Sequence, residues 1–214
     1  VLKALKQVSS HTYLLESADN SNHWGRYSFL GYDPKIELFC KNHKMTIKDG
    51  TTRTFECSDP ATEIRNILSQ YKSPRLEGLP TFTGGFVGYF ACEYIRYIEP
   101  TLDFPTPDDD SAMVNDVDLM LFDKVIAFDH YKNKIYLIAN ISTNDLERNY
   151  NKAELELKAL ADLVVNGKEA NIPKGILKTE FTSEFTKDEF EAVVKKTQHY
   201  IKEGDIFQCV VSNR

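Results

Sequence analysis

The sequence has no apolar run approaching the roughly 20 residues that a membrane-spanning helix needs. Its first residues, VLKALKQVSSHTY, lack the apolar stretch of a secretory leader. Cysteine is sparse: Cys40, Cys57, Cys92 and Cys209 lie far apart, with no C-x-x-C pair. That spacing speaks against a disulfide frame or a metal knuckle and for buried thiols in a reducing compartment. The histidines, His11, His23, His43, His130 and His199, show no ligand spacing, so no metal site is expected. Positive charge is in deficit: 26 Lys and Arg stand against 32 Asp and Glu, a net charge of −6. A nucleic-acid-binding surface carries the opposite balance. The expectation is a cytoplasmic protein with no nucleic-acid and no membrane partner.

What is present is a core. The 214 residues are 42% hydrophobic and 12% aromatic, enough for one large domain or two small ones. Val1 to Val8 carries a helical apolar stripe and leads into a strand over 12–16. A second strand follows over 26–31, rich in aromatics. Segments 36–40, 45–48 and 51–57 read as a three-stranded meander, with Asn42-His43 and Asp49-Gly50 at its turns. Asp59 caps a helix with Pro60 at its first position, and Ile64, Ile67, Leu68 and Tyr71 share one face. Val117–Phe128 and Lys134–Ile141 read as two strands joined through Asp129–Asn133. Residues 145–166 form a helix with Leu146, Tyr150, Ala153, Leu157, Leu160 and Val164 on one stripe, and Gly167 is placed to end it. Residues 167–175 have no apolar period and read as a linker. Beyond them, Thr186 to Glu189 is a capping box flanked by a Phe185–Phe190 staple. That helix turns Phe190, Val193, Val194, Thr197 and Ile201 inward. Gly204 ends it, and a strand over 205–212 follows.

Two stretches invite a functional reading. In LLESADNSNHWGRYSFLGYDP, Leu14 to Pro34, two strands meet across a polar loop. Glu16 and Ser17 stand at its head, Trp24 and Arg26 at its foot. That set suits a small zwitterion: Glu16 for an ammonium, Arg26 forked onto a carboxylate, Ser17 as hydrogen-bond partner. The bland alternative is an ordinary solvated loop between strand ends. In LPTFTGGFVGY, Leu79 to Tyr89, the glycines do not make G-x-G-x-x-G and precede no clear helix. They mark a strand that another backbone approaches closely. Asp108-Asp109-Asp110 is an acidic run in a Pro-rich loop, better read as solvated than as a cation site.

Leu14-Leu15-Glu16-Ser17, Gly25-Arg26-Tyr27-Ser28-Phe29-Leu30-Gly31, the glycine-rich block and FEAVVKKTQHYIKEGDIFQCVVSNR, in this order, resemble the N-terminal part of anthranilate synthase component I. The resemblance implies an α+β fold of antiparallel β-sheets packed with helices, cut before most of the catalytic domain. Residues 1–170 would be the regulatory domain and 176–214 the start of the chorismate-binding domain. The family converts chorismate and ammonia to anthranilate and pyruvate with Mg²⁺, a glutamine amidotransferase subunit supplying the ammonia. Feedback inhibition is by L-tryptophan. Ser17 matches the family's tryptophan-contacting serine, Glu16 lies beside it, and Arg26 falls near where some members carry a basic residue. Catalytic residues and Mg²⁺ ligands would lie past Arg214, so none is nominated here and the chain alone is expected to be inactive. Aminodeoxychorismate synthase component I shares the architecture and is the nearer alternative. A non-catalytic amino-acid-binding module is the other.

Overall fold

A computed structural model of the chain describes residues 1–17, 25–99, 101–102 and 114–212. It divides into two compact units, Val1–Ile172 and Pro173–Arg214.

The first unit opens with helix α1 (Leu2–Val8), strand β1 (Thr12–Leu15) and strand β2 (Tyr27–Tyr32). Strands β3 (Ile36–Lys41), β4 (Lys44–Lys48) and β5 (Thr52–Glu56) form the expected meander. Asn42 and His43 take left-handed conformations (φ 47° and 62°) in its first turn and Gly50 (φ 99°) in its second, as tight hairpin turns require. Helix α2 (Pro60–Ser69) starts at Asp59, whose carboxylate accepts from the Thr62 N–H. Ile64 and Ile67 are buried against the sheet, while Leu68 and Tyr71 stay exposed.

Strand β6 (Gly85–Phe90) leads through a 3-10 turn (Cys92–Tyr94) into the short helix α3 (Ile95–Ile98). Gly88 lies opposite Leu119, and a Cβ there would overlap the Asp118 carbonyl. The glycine-rich block is therefore a close-approach strand, as read. The acidic run at 108–110 lies outside the described residues.

The stretch 117–128, expected as one strand, is two: β7 (Val117–Phe122) and β8 (Lys124–Asp129), broken at Asp123. They belong to different sheets. One sheet has strand order β1-β2-β8-β9, with β9 spanning Lys134–Ala139; the other has order β5-β4-β3-β7-β6, and every pairing in both is antiparallel. The reason lies in the burial pattern. Leu119, Leu121, Phe122, Val125, Ile126 and Ala127 are all buried, and neighbouring buried residues cannot share one face of a single sheet. The chain changes sheets at Asp123, and Asn140 closes the corner with its backbone and side-chain N–H groups on the Asp123 carbonyl.

Two cores result. Leu38, Cys40, Met45, Ile47, Val117, Leu119 and Leu121 pack with α2 in one; Leu5, Leu30, Ile126 and Leu160 pack α1 and α4 on the other sheet. Helix α4 (Leu146–Asn166) buries Ala153 and Leu160, but Leu146 and Tyr150 of the expected stripe are exposed. The first turn of the helix presents no side chain to the core. Gly167 does end α4, though in an extended conformation (φ −62°). It is there for space: a Cβ would press on the Leu163 carbonyl and Ala4. Cys40 and Cys57 are buried, and burial pushes both thiols up; Cys92 and Cys209, expected buried too, are exposed.

In the second unit, helix α5 (Lys187–Glu203) starts on the expected capping box and ends on Gly204 at φ 84°. Phe185 and Phe190 meet at 6.3 Å between ring centroids. Phe190, Val193, Val194 and Thr197 are half-buried and Ile201 is exposed. The strand expected over 205–212 is absent: those residues have no regular structure. A strand needs a neighbour for its N–H and C=O groups, and the described residues of this unit form no other strand.

Candidate functional site

The loop-flanking residues converge on one end of the four-stranded sheet. β1 pairs with β2 from Thr12–Tyr32 to Leu15–Phe29, and β2 pairs with β8 from Leu30–Ile126 to Tyr27–Asp129. Glu16 and Ser17 leave the end of β1; Arg26 enters β2; Asp129 and His130 leave β8. All five sit at the same sheet end. Gly31 makes the register possible, because a Cβ there would overlap the ring of its cross-strand partner Tyr13. Tyr13 in turn packs edge-on against Phe122, centroids 4.7 Å apart. The last glycine of the GRYSFLG block thus anchors the first strand.

Glu16 and Ser17 are exposed. Residues 18–24, including Trp24, lie outside the described residues, so the loop joining the two strands contributes no geometry. Arg26 is the surprise. Expected to face a ligand carboxylate, it forks onto a carboxylate of the chain itself. Its Nε donates to Asp129 Oδ1 at 3.0 Å and its Nη2 to Oδ2 at 2.7 Å. Asp129 Oδ1 also accepts from the Tyr131 and Lys132 N–H groups at 3.1 and 3.0 Å. The Asp129 side chain is 0% exposed, that of Arg26 32%. The Arg26 hydrogen bonds, reinforced by the two backbone donors, hold the Asp129 carboxyl down at about 2.

The guanidinium also lies over two rings, 4.7 Å from the Tyr27 centroid and 5.6 Å from that of Tyr131. Beside it, the His130 N–H donates to the Arg26 carbonyl, and His130 Nε2 sits 2.7 Å from the buried Ser28 hydroxyl. Sequence reasoning missed Asp129, His130 and Tyr131, which sit 103 to 105 positions beyond Arg26 in the chain, in a segment read as a mere connector. The usable signal was an Asp completing a strand whose other inward residues are apolar.

A separate shallow groove of about 310 Å³ opens at the opposite end of β2, between Tyr32, Val8 and the α4 residues Ala159, Leu163 and Asn166. It touches none of the expected site residues. No group of three or more His, Cys, Asp or Glu among the described residues is arranged to hold a metal ion. No described helix is long and apolar enough to cross a membrane.

Two antiparallel sheets joined at a corner and packed with helices define an architecture already seen in a solved structure. The crystal structure of anthranilate synthase component I from Streptococcus pneumoniae TIGR4 matches with a TM-score of 0.62 at 22% identity, over 94% of this chain and 43% of that one. A family profile described as chorismate binding enzyme matches residues 11–214, and the chain belongs to that family. Anthranilate synthase component 1 of Acinetobacter calcoaceticus is 35% identical over 210 residues, 96% of this chain and 42% of that protein. Aminodeoxychorismate synthase component 1 of Bacillus subtilis is 32% identical over 212 residues, 98% of this chain and 43% of that protein. The chain thus spans about two-fifths of the length of these relatives.

Proposed function

We propose that the chain is part of the large subunit of an anthranilate synthase, which converts chorismate and ammonia to anthranilate and pyruvate. In this reading a glutamine amidotransferase subunit delivers the ammonia, the protein works in the cytoplasm, and this portion carries inhibition by L-tryptophan. The observation that carries the reading is the run of anthranilate synthase relatives matched along nearly the whole chain. The sheet end described above would hold part of the inhibitor site. Ser17 would hydrogen-bond the amino acid, Glu16 would pair with its ammonium, and Arg26 would take its carboxylate. The Mg²⁺ that the resemblance implies finds no ligand cluster among the described residues.

The full gene product, given chorismate and ammonia, should release anthranilate and be inhibited by L-tryptophan. Losing a hydrogen bond to a charged ligand group costs about 1.5–3 kcal/mol, roughly ten- to a hundredfold in affinity. Ser17→Phe should therefore raise the tryptophan concentration for half-inhibition at least tenfold, measured against that variant's own uninhibited rate. Unchanged inhibition would remove Ser17 from the site. The second reading is aminodeoxychorismate synthase, favoured by the Bacillus subtilis relative of nearly equal identity. Release of 4-amino-4-deoxychorismate in place of anthranilate would establish it.

A further inference from the structure

We propose that Asp129 is the positioning residue of the inhibitor site: its buried carboxylate fixes the Arg26 guanidinium so that the edge left outside their pair meets the carboxylate of the bound amino acid. The inference rests on the reading that Arg26 belongs to that site. Two sets of contacts act on the guanidinium and two on the groups that hold it. The fork to Asp129 sets its plane and occupies Nε and Nη2, leaving Nη1 outside the pair. The Tyr27 and Tyr131 rings lie close to it. The Tyr131 and Lys132 N–H groups hold Asp129 itself in place from the turn. The His130 N–H ties the backbone of Arg26 to the same turn.

A purely structural role accounts poorly for this. Measured against an apolar pair of similar volume, a buried ion pair gains little net stability, because desolvation offsets the attraction. Apolar side chains could also close β2 on β8, though without an acceptor for the Tyr131 and Lys132 N–H groups. What an Asp–Arg fork supplies, and an apolar pair does not, is a guanidinium of set orientation. A planar donor held in place loses less freedom when a second carboxylate arrives.

There is also a charge argument. A bare arginine attracts the carboxylate of an amino acid and repels its ammonium. Paired with Asp129, the guanidinium still donates directional hydrogen bonds, but the pair is neutral. Ligand recognition then depends on geometry, and Glu16 at the neighbouring strand end is left to favour the ammonium.

The test uses the full gene product, with L-tryptophan and L-tryptophanamide as probes. The amide keeps the indole and the ammonium and lacks the carboxylate. Asp129→Asn retains an oxygen to accept from Tyr131 and Lys132 and loses the charged fork. It should raise the half-inhibitory concentration of L-tryptophan about tenfold and leave that of the amide within twofold. Arg26→Lys, which keeps the charge and loses the fork, should do the same. An equal shift for both probes in Asp129→Asn would mean a structural role and overturn the proposal. So would native tryptophan inhibition in Asp129→Asn or Arg26→Lys while Arg26→Ala is weakened, and in that case the site reading survives. Native inhibition in Arg26→Ala would remove Arg26 from the site and overturn both.

Discussion

Gly88 offers the sharpest test of the architecture, because two penalties meet there that Gly50 separates. Both residues have positive φ, 159° at Gly88 and 99° at Gly50. A Cβ at Gly50 meets nothing within 4 Å; one at Gly88 overlaps the carbonyl of Asp118 and lies 2.9 Å from the Leu119 Cα. Those atoms are backbone of β7, which is paired on its other side with β3. They cannot swing aside as a side chain would. Gly50→Ala should cost only the conformational term, about 1 kcal/mol. Gly88→Ala adds overpacking of about 1–3 kcal/mol to a backbone strain of about 1–3 kcal/mol, a total of roughly 2–6 kcal/mol. Against a typical stability of about 5–15 kcal/mol the difference is large. Urea denaturation followed by circular dichroism of the sheet signal reads it directly. Gly88→Ala should shift the midpoint well below that of Gly50→Ala with a similar slope. Equal midpoints would mean that β6 does not press on β7 at Gly88, and the close-approach reading of the glycine-rich block would fall.

Asp129 and Asn140 give two further tests. The Asp129 carboxyl is held at about 2 against an ordinary 3.8; because the folded value is the lower, the stabilisation is full above pH 3.8 and is lost as pH falls toward 2. At about 1.4 kcal/mol per unit this amounts to about 2 kcal/mol, so Asp129→Asn should flatten the urea midpoint between about pH 4 and pH 2, and an unchanged acid limb would refute the pairing. Asn140 Nδ2 donates to the carbonyls of Thr83 (2.7 Å) and Asp123 (3.2 Å), and its Oδ1 accepts from Ser73 Oγ (3.0 Å). Asn140→Ala should cost about 1–3 kcal/mol and speed amide exchange at the start of β6; native exchange there would show that the corner closes without it.

What was legible in the sequence was local. Asp59 before Pro60, Thr186 three residues before Glu189 and Asn42-His43 between two strands each announce a boundary through interactions within a few residues, and each boundary stands where expected. The family resemblance, carried by short blocks, holds over residues 11–214. What was not legible depends on distant partners. The sheet change at Asp123 is invisible to a periodicity reading, because two consecutive buried residues look like a continuous apolar strand until a second sheet exists to receive them. The strand expected over 205–212 failed for the converse reason, an apolar run with no neighbour to pair with. Asp129 looked like a turn residue because its partner, Arg26, lies 103 positions earlier.

That last miss changes the chemistry of the candidate site. Read from sequence, Glu16 and Arg26 are a plain pair of opposite charges waiting for a zwitterion. With Asp129 in place the balance shifts: the guanidinium is neutralised from within, and the described charges left at that sheet end include Glu16 after β1 and the exposed Lys132 and Lys134 beside Asp129. On the proposed reading, the buried carboxylate would act on the ligand by orienting the arginine it holds. Binding alone would still regulate nothing, since a ligand shifts an equilibrium only as far as it prefers one arrangement over another. β8, which ends on Asp129, begins at the corner at Asp123, where the chain arrives from β7 of the other sheet. A ligand that changed the Arg26–Asp129 geometry would act on a strand shared by continuity with the glycine-rich sheet, and not on an isolated loop.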